Sequence, residues 1–211
     1  MLLLNHQQSY GNRSHWEVSA YHRRNSDHYV YDRFDPNNNF IHETKVASLA
    51  ISGLHEIDED KAVNYAGQFS GDEIRSTKLE NSFTDRSYYK VSIVPEYIHS
   101  LGSQEELTFK LGASLDDTNR DHSKVSPIAE ISWKKTDKQG RFEHAYVSYT
   151  QSTKVLGYGA IGGNPSGLFA SDPDLLREIS KNIELGYTLK EADWYMKGAL
   201  FYRWDNDLVD W

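Results

Sequence analysis

The chain has 211 residues, a formal net charge of -8 and no cysteine. These exclude a disulfide framework, a cysteine-ligated zinc site, a thiol nucleophile and an iron–sulfur cluster, and with Lys and Arg scattered they leave no basic face for nucleic acid. Hydrophobic residues are 38% and mean hydropathy is -0.70, low for a soluble core, yet aromatics reach 13% with 14 Tyr, too many for disorder.

In chain order, Met1-Leu2-Leu3-Leu4-Asn5-His6 opens with an apolar run too short for a signal-peptide core, so Met1 is expected to be an internal or artificial start. No stretch approaches the length of a transmembrane helix, and helical periodicity is nowhere sustained. Alternation with period two recurs instead in segments of about ten residues, the length that a tilted strand needs to cross a bilayer. It is weaker at Trp16 to Ala20, Ala47 to Gly53, Val63 to Phe69 and Tyr89 to Tyr97. It is sharp from Leu107 to Leu115, where every odd residue is apolar and every even one small or polar, which sends Lys110 into a lumen. Val125, Pro127, Ala129, Ile131 and Trp133 share a face opposite Ser126, Glu130 and Ser132.

A weaker copy at Ala145 to Tyr149 precedes Ile183, Leu185, Tyr187 and Leu189, which stand opposite Asn182, Glu184 and Thr188. In the last segment Trp194, Met196, Gly198, Leu200, Tyr202 and Trp204 lie on one face. At roughly 3.3 Å per residue and a tilt near 45°, its two tryptophans are about 23 Å apart along the membrane normal, close to the height of the apolar band. Each suits one interface. The pattern gives about nine strands. Long polar segments at Arg24–Asn39, Asp72–Arg86, Asp116–Lys124 and Lys154–Glu178 interleave with short ones at Glu56–Asp60, Ser100–Glu105, Lys135–Gly140 and Lys190–Asp193, as long extracellular loops and short periplasmic turns do in outer-membrane barrels.

Three motifs have bland explanations. Gly157-Tyr158-Gly159-Ala160-Ile161-Gly162 matches G-x-G-x-x-G, but Gly163-Asn164-Pro165-Ser166-Gly167 cannot open a helix and no βαβ unit surrounds it, so it reads as a flexible loop. Asp117-Thr118-Asn119-Arg120-Asp121 starts like a calcium loop, but His122 stands where Gly is needed and Ile128 where the bidentate Glu belongs. Tyr149-Thr150-Gln151-Ser152 is similar to a stretch of outer-membrane phospholipases, which also need an "H-x-S-N-G" segment; His99-Ser100-Leu101-Gly102 does not supply it.

Four segments in the second half form an ordered set: Tyr146-Val147-Ser148-Tyr149-Thr150-Gln151-Ser152, Asp172-Pro173-Asp174-Leu175-Leu176-Arg177-Glu178, Ser180-Lys181-Asn182-Ile183-Glu184-Leu185-Gly186-Tyr187, and a strand ending Asp207-Leu208-Val209-Asp210. In order and spacing this resembles the barrel of TonB-dependent receptors, with Asp172 in place of the usual Asn and Arg177 in place of the usual Pro. The resemblance implies an all-β fold, an antiparallel transmembrane β-barrel segment of about nine to ten strands that spans residues 1–211 and is part of a larger barrel of roughly 22 strands. A plug and C-terminal strands are then expected outside this chain.

The function implied is that of an outer-membrane receptor in a Gram-negative bacterium for a scarce chelate, such as a ferric siderophore or a vitamin, with uptake energised by TonB. Its partners would be membrane lipid, the TonB complex through the plug, and a small-molecule chelate; no enzyme activity, cofactor, metal or nucleic acid is implied. Aromatic and polar residues of the longest loop, Tyr158, Asn164 and Phe169, and the lumen-facing Lys110, Glu130 and Glu184 are the candidate substrate contacts. Two other readings compete: a complete small outer-membrane barrel with a phospholipase-like or adhesive role, and a soluble β-sandwich with its apolar residues packed between two sheets.

Overall fold

The computed structural model describes residues 1–30, 32–35, 39–80, 83–163 and 171–209. They form one antiparallel sheet of ten strands in chain order. The strands are β1 (Leu2–Tyr10), β2 (Ser14–Val30), β3 (Asn39–Glu56), β4 (Lys61–Ser76), β5 (Asp85–Ser100), β6 (Glu105–Thr118), β7 (Lys124–Thr136), β8 (Phe142–Lys154), β9 (Glu178–Lys190) and β10 (Tyr195–Asn206), with one short helix, α1 (Tyr158–Gly162), between β8 and β9. Among the described residues β1 and β10 do not pair, so the sheet is open.

The period-two alternation works because the register keeps like with like. Val18, Ile51, Gly67, Val91, Leu115 and Val125 lie directly opposite one another across six strands. Phe109, Ile131, Val147, Leu185 and Leu200 do the same from β6 to β10. A one-residue slip anywhere would carry such a row to the other face.

Burial is inverted relative to a soluble protein. Leu111 is 72% exposed and Leu200 76%, whereas Thr108, Ser114, Asp116, Thr118, Ser126 and Ser132 of β6 and β7 are buried. The sheet curls towards this polar face: Arg13, in the turn before β2, reaches Glu96 on β5, and Tyr158, after β8, reaches Asp72 on β4. Polar side chains therefore fill the concave side, and the convex side presents a continuous apolar surface. A β-sandwich would do the opposite.

Three expectations need correction. The stretch Met1–His6, expected only as an apolar run too short for a signal peptide, lies largely in β1 (Leu2–Tyr10), held along its length by β2. Its alternation is masked because Leu2, Leu3 and Leu4 are consecutive and His6 and Gln8 occupy the apolar side's positions. The segment Arg24–Asn39, expected to be a loop, is half strand, since β2 runs to Val30 and β3 starts at Asn39. The hydrophobic pattern stops where lipid would stop, but backbone pairing continues beyond it. For the same reason the β6–β7 connection shrinks to residues 119–123, no longer than the turn 137–141. The connections at 31–38, 77–84 and 155–177 are the long ones, and all lie at one end of the sheet.

Two glycines are dictated by close approach. The β5–β6 register runs Ile93↔Ala113 and Glu96↔Lys110, leaving Val94 and Pro95 unpaired with β6. Pro95 has no N–H to give that ladder. Here β5 presses on Gly112, where a Cβ would stand 2.6 Å from the Val94 Cα. Gly186 is covered by the ring of Tyr146 directly opposite on β8, an aromatic side chain filling the space that glycine leaves.

Candidate functional site

The concave face carries the site. Strand parity places Glu96, Lys110, Glu130, Ser148, Glu184 and Phe201 in one row across β5 to β10, each directly opposite the next. Lys110 Nζ lies 3.0 Å from Glu130 and 3.8 Å from Glu96, which also pairs with Arg13. Tyr146 donates its hydroxyl to Glu184. The three wall residues singled out from the sequence, Lys110, Glu130 and Glu184, thus belong to one belt of alternating charge and hydrogen bonds. Alternation of sign compensates Glu96, Lys110 and Glu130, whereas Glu184 is held by a neutral hydroxyl.

A second belt lies nearer the end with the long connections. Arg86 Nη2 lies 2.7 Å from Asp72. Asp116, fully buried, accepts hydrogen bonds from Tyr88 at 2.7 Å and Thr153 at 3.0 Å, with Lys90 Nζ at 3.7 Å. Two of these pairs are register partners, Asp72↔Arg86 and Lys90↔Asp116, while Thr153 reaches Asp116 from β8, across β7.

The described parts of the β8–β9 connection, residues 155–163 and 171–177, fold over this belt. Leu156, Ala160 and Ile161 make a small apolar core with Phe83, Leu175 and Val209. The motif Gly157–Gly162, expected to be a flexible loop, winds its last five residues into α1, whose Ala160, Ile161 and Gly162 are buried. Tyr158 is half-buried: its hydroxyl donates to the Asp72 carboxylate and its ring packs 5.8 Å from that of Phe83. Burial first, then the hydrogen bond to Asp72, push this phenol above its usual range.

At the other end of the connection Arg177, only 2% exposed, makes a two-pronged pair with Asp121, with Nε at 3.0 Å. Arg120 donates to the carbonyls of Leu175 at 2.6 Å and Pro173 at 3.2 Å. Burial pushes the Asp121 carboxyl up, but hydrogen bonds from Arg177 and Thr118 and the charges of Arg177 and Arg120 outweigh it and hold the group below the usual carboxylate range.

Tyr158 therefore pins the connection to β4, at some distance from Lys110, Glu130 and Glu184; Asn164 and Phe169 lie outside the described residues. Sequence reasoning missed Asp72, Arg86, Asp116, Asp121 and Arg177. Parity was available for Asp116, one step beyond Leu115. Nothing local could pair Arg177 with Asp121, which is far away in the sequence. Among the described residues no group of three or more His, Asp or Glu side chains is placed to hold a metal ion.

An outward apolar face, a charged and hydrogen-bonded inner wall and long connections gathered at one end are the anatomy of a membrane barrel. The chain matches the family described as TonB dependent receptor-like, beta-barrel, over residues 1–211. The chain belongs to the TonB-dependent receptor family. Receptors of this family are transporters of the Gram-negative outer membrane, not enzymes, which sets aside the phospholipase-like reading. The convex apolar face is accordingly the lipid face of the receptor wall and the concave face its lumen. No helix among the described residues is long and apolar enough to cross a membrane; the strands do the crossing. No curated protein and no solved structure matches the chain.

Proposed function

We propose that this receptor wall serves TonB-energised import of a scarce small-molecule chelate, such as a ferric siderophore or a vitamin, across the outer membrane of a Gram-negative bacterium. Ligand enters past the long connections, which face the cell exterior, and meets the lumen wall at Lys110, Glu130 and Glu184 and the rim formed by residues 155–163 and 171–177. The residues 1–211 act as part of a larger barrel whose plug receives the pull of TonB. The observation that carries this reading is the inverted sheet, with its compensated polar lumen, in a chain that matches the receptor family along its whole length. A lumen of that chemistry holds a hydrated solute by many weak polar contacts and releases it again.

The test is uptake by cells that express the protein as its gene encodes it, offered radiolabelled ferric hydroxamates, ferric catecholates and a corrinoid vitamin, with and without TonB. Uptake of one of these that disappears without TonB is expected. Uptake of none, or uptake indifferent to TonB, contradicts the proposal.

A further inference from the structure

We propose that a groove on the lipid face along β7 holds one phospholipid of the leaflet on the short-turn side, and that its headgroup is zwitterionic, an ethanolamine phosphate. The groove lies on β6 to β9, strands that are paired on both sides, away from the open edges of the sheet. This site is independent of what the receptor carries.

The register sets its floor and walls. Ala129 stands directly between Leu111 on β6 and Tyr149 on β8, and the next row runs Phe109, Ile131 and Val147. A methyl group flanked by long side chains leaves a hollow of about 440 Å³, lined by Phe109, Leu111, Ala129, Ile131, Val147 and Tyr149 among others. Lipid tails are as apolar as leucine, so shape and not hydrophobicity selects the occupant here. An acyl chain seated over Ala129 restores dispersion contacts that an unfilled hollow forfeits.

The foot of the groove supplies the headgroup site. Beyond Ile131 the face carries the row Leu107, Trp133 and Ala145, and then the row Glu105, Lys135 and Glu143. Trp133 suits the membrane–water interface, which puts the charged row at headgroup level. Lys135 Nζ lies 2.6 Å from Glu105, and Arg141 Nε lies 3.0 Å from Glu143. All four side chains are partly exposed, and exposed pairs of this kind contribute only about 0–1 kcal/mol, so they exchange partners with a lipid at little cost. A phosphate then meets Lys135 and Arg141 while an ammonium meets Glu105 and Glu143. A purely anionic headgroup gains the cations but faces two carboxylates without a counter-charge.

The spacing fits one leaflet. Ala129 and Lys135 are six residues apart, which at roughly 3.3 Å per residue and a tilt near 45° is about 14 Å along the normal, close to half of an apolar band about 25 Å tall. A lipid whose headgroup rests on the charged row therefore brings the end of its chain to the hollow. Six residues the other way from Leu111, the same face offers Asp117, opposite Tyr89 and bonded by Ser123 at 3.0 Å. Among the described residues it has no ion pair, so a phosphate of the other leaflet is repelled there.

The experiment is native mass spectrometry of the detergent-solubilised protein as its gene encodes it, offered an equimolar mixture of palmitoyl-oleoyl phosphatidylethanolamine and palmitoyl-oleoyl phosphatidylglycerol. The parent is expected to retain one phosphatidylethanolamine that Ala129→Leu, whose larger side chain fills the hollow, does not. Gly67→Ala, on the same face at β4 opposite Ile51 and Val91, is expected to retain it. Glu105→Gln combined with Glu143→Gln, which leaves the two cations, is expected to exchange that lipid for phosphatidylglycerol. Equal retention by the parent and Ala129→Leu overturns the groove. Phosphatidylglycerol in the parent, or an unchanged lipid in the double variant, overturns the headgroup assignment, and because the double variant leaves the hollow untouched it decides this whether or not Ala129→Leu folds.

Discussion

Replacing Arg177 with Met should release the β8–β9 connection from the wall while leaving the strands intact. The guanidinium is buried and gives two hydrogen bonds to Asp121, with Thr153 Oγ1 at 3.4 Å and the His122 carbonyl at 3.3 Å as further acceptors. Breaking a buried ion pair costs about 3–5 kcal/mol. Asp121 is partly open to water and keeps its bond from Thr118, so the lower end, about 3 kcal/mol, applies. Methionine fills most of the vacated volume, so little packing is lost with the charge. Since about 1.4 kcal/mol is a factor of ten, opening of the connection should become about a hundredfold more frequent.

Hydrogen exchange followed by mass spectrometry reads this directly, because local opening sets the protection of amides that only the folded connection bonds. The amides of Asp172, bonded to the Ala160 carbonyl at 3.0 Å, and of Glu80, bonded to the Gly162 carbonyl at 2.8 Å, should lose about two decades of protection. Amides in the β8–β9 ladder should not change. Asp121→Asn in the Arg177→Met background should add little, because the pair is already broken. Unchanged protection at Asp172 and Glu80 would refute the pinning role.

The same pair predicts an acid response. The folded Asp121 carboxyl titrates below its unfolded range near about 3.9, so its contribution is fully present above that pH and is lost as pH falls through the folded value. Protection of the 155–177 connection should thus be flat from pH 5 to 8 and fall in more acid buffer, and Arg177→Met should remove that dependence. Gly112→Val puts a branched side chain against the backbone of β5 and should cost about 1–3 kcal/mol, seen as a lower urea midpoint in detergent. Leu111→Arg, in the middle of the lipid face, should cost about 2–4 kcal/mol in a bilayer, read by the same unfolding midpoint in lipid vesicles.

What the sequence disclosed and what it hid have a common cause. Lipid imposes period two on Leu107–Leu115 and on Val125–Trp133, and those strands were legible with their lumen residues, including Lys110 and Glu130. Where lipid no longer imposes it, as in the upper half of β2 and β3, backbone pairing in water left no trace in the residue pattern. β1 stayed hidden because its run of leucines breaks the alternation and only its partner β2 fixes its faces. The wall belt was half visible: parity named Lys110, Glu130 and Glu184, but Arg13 joins it from a turn and its pairing with Glu96 requires the curl of the sheet. The pins Tyr158–Asp72 and Arg177–Asp121 link connections to strands distant in sequence. Arg177, where the family pattern has Pro, marked the place without saying what it held.

The most direct test of the membrane-wall architecture uses the lack of cysteine in residues 1–211, within which every thiol introduced is unique. Single cysteines at each position from Leu107 to Asp116, spin-labelled in the protein reconstituted in lipid vesicles, report their surroundings by collision with oxygen, which concentrates in lipid, or with a polar nickel chelate, which stays in water. Positions 107, 109, 111, 113 and 115 should favour oxygen and the even positions should not, with a strict period of two. A helical period, a uniform profile or the opposite parity would contradict the assignment of lipid and lumen faces.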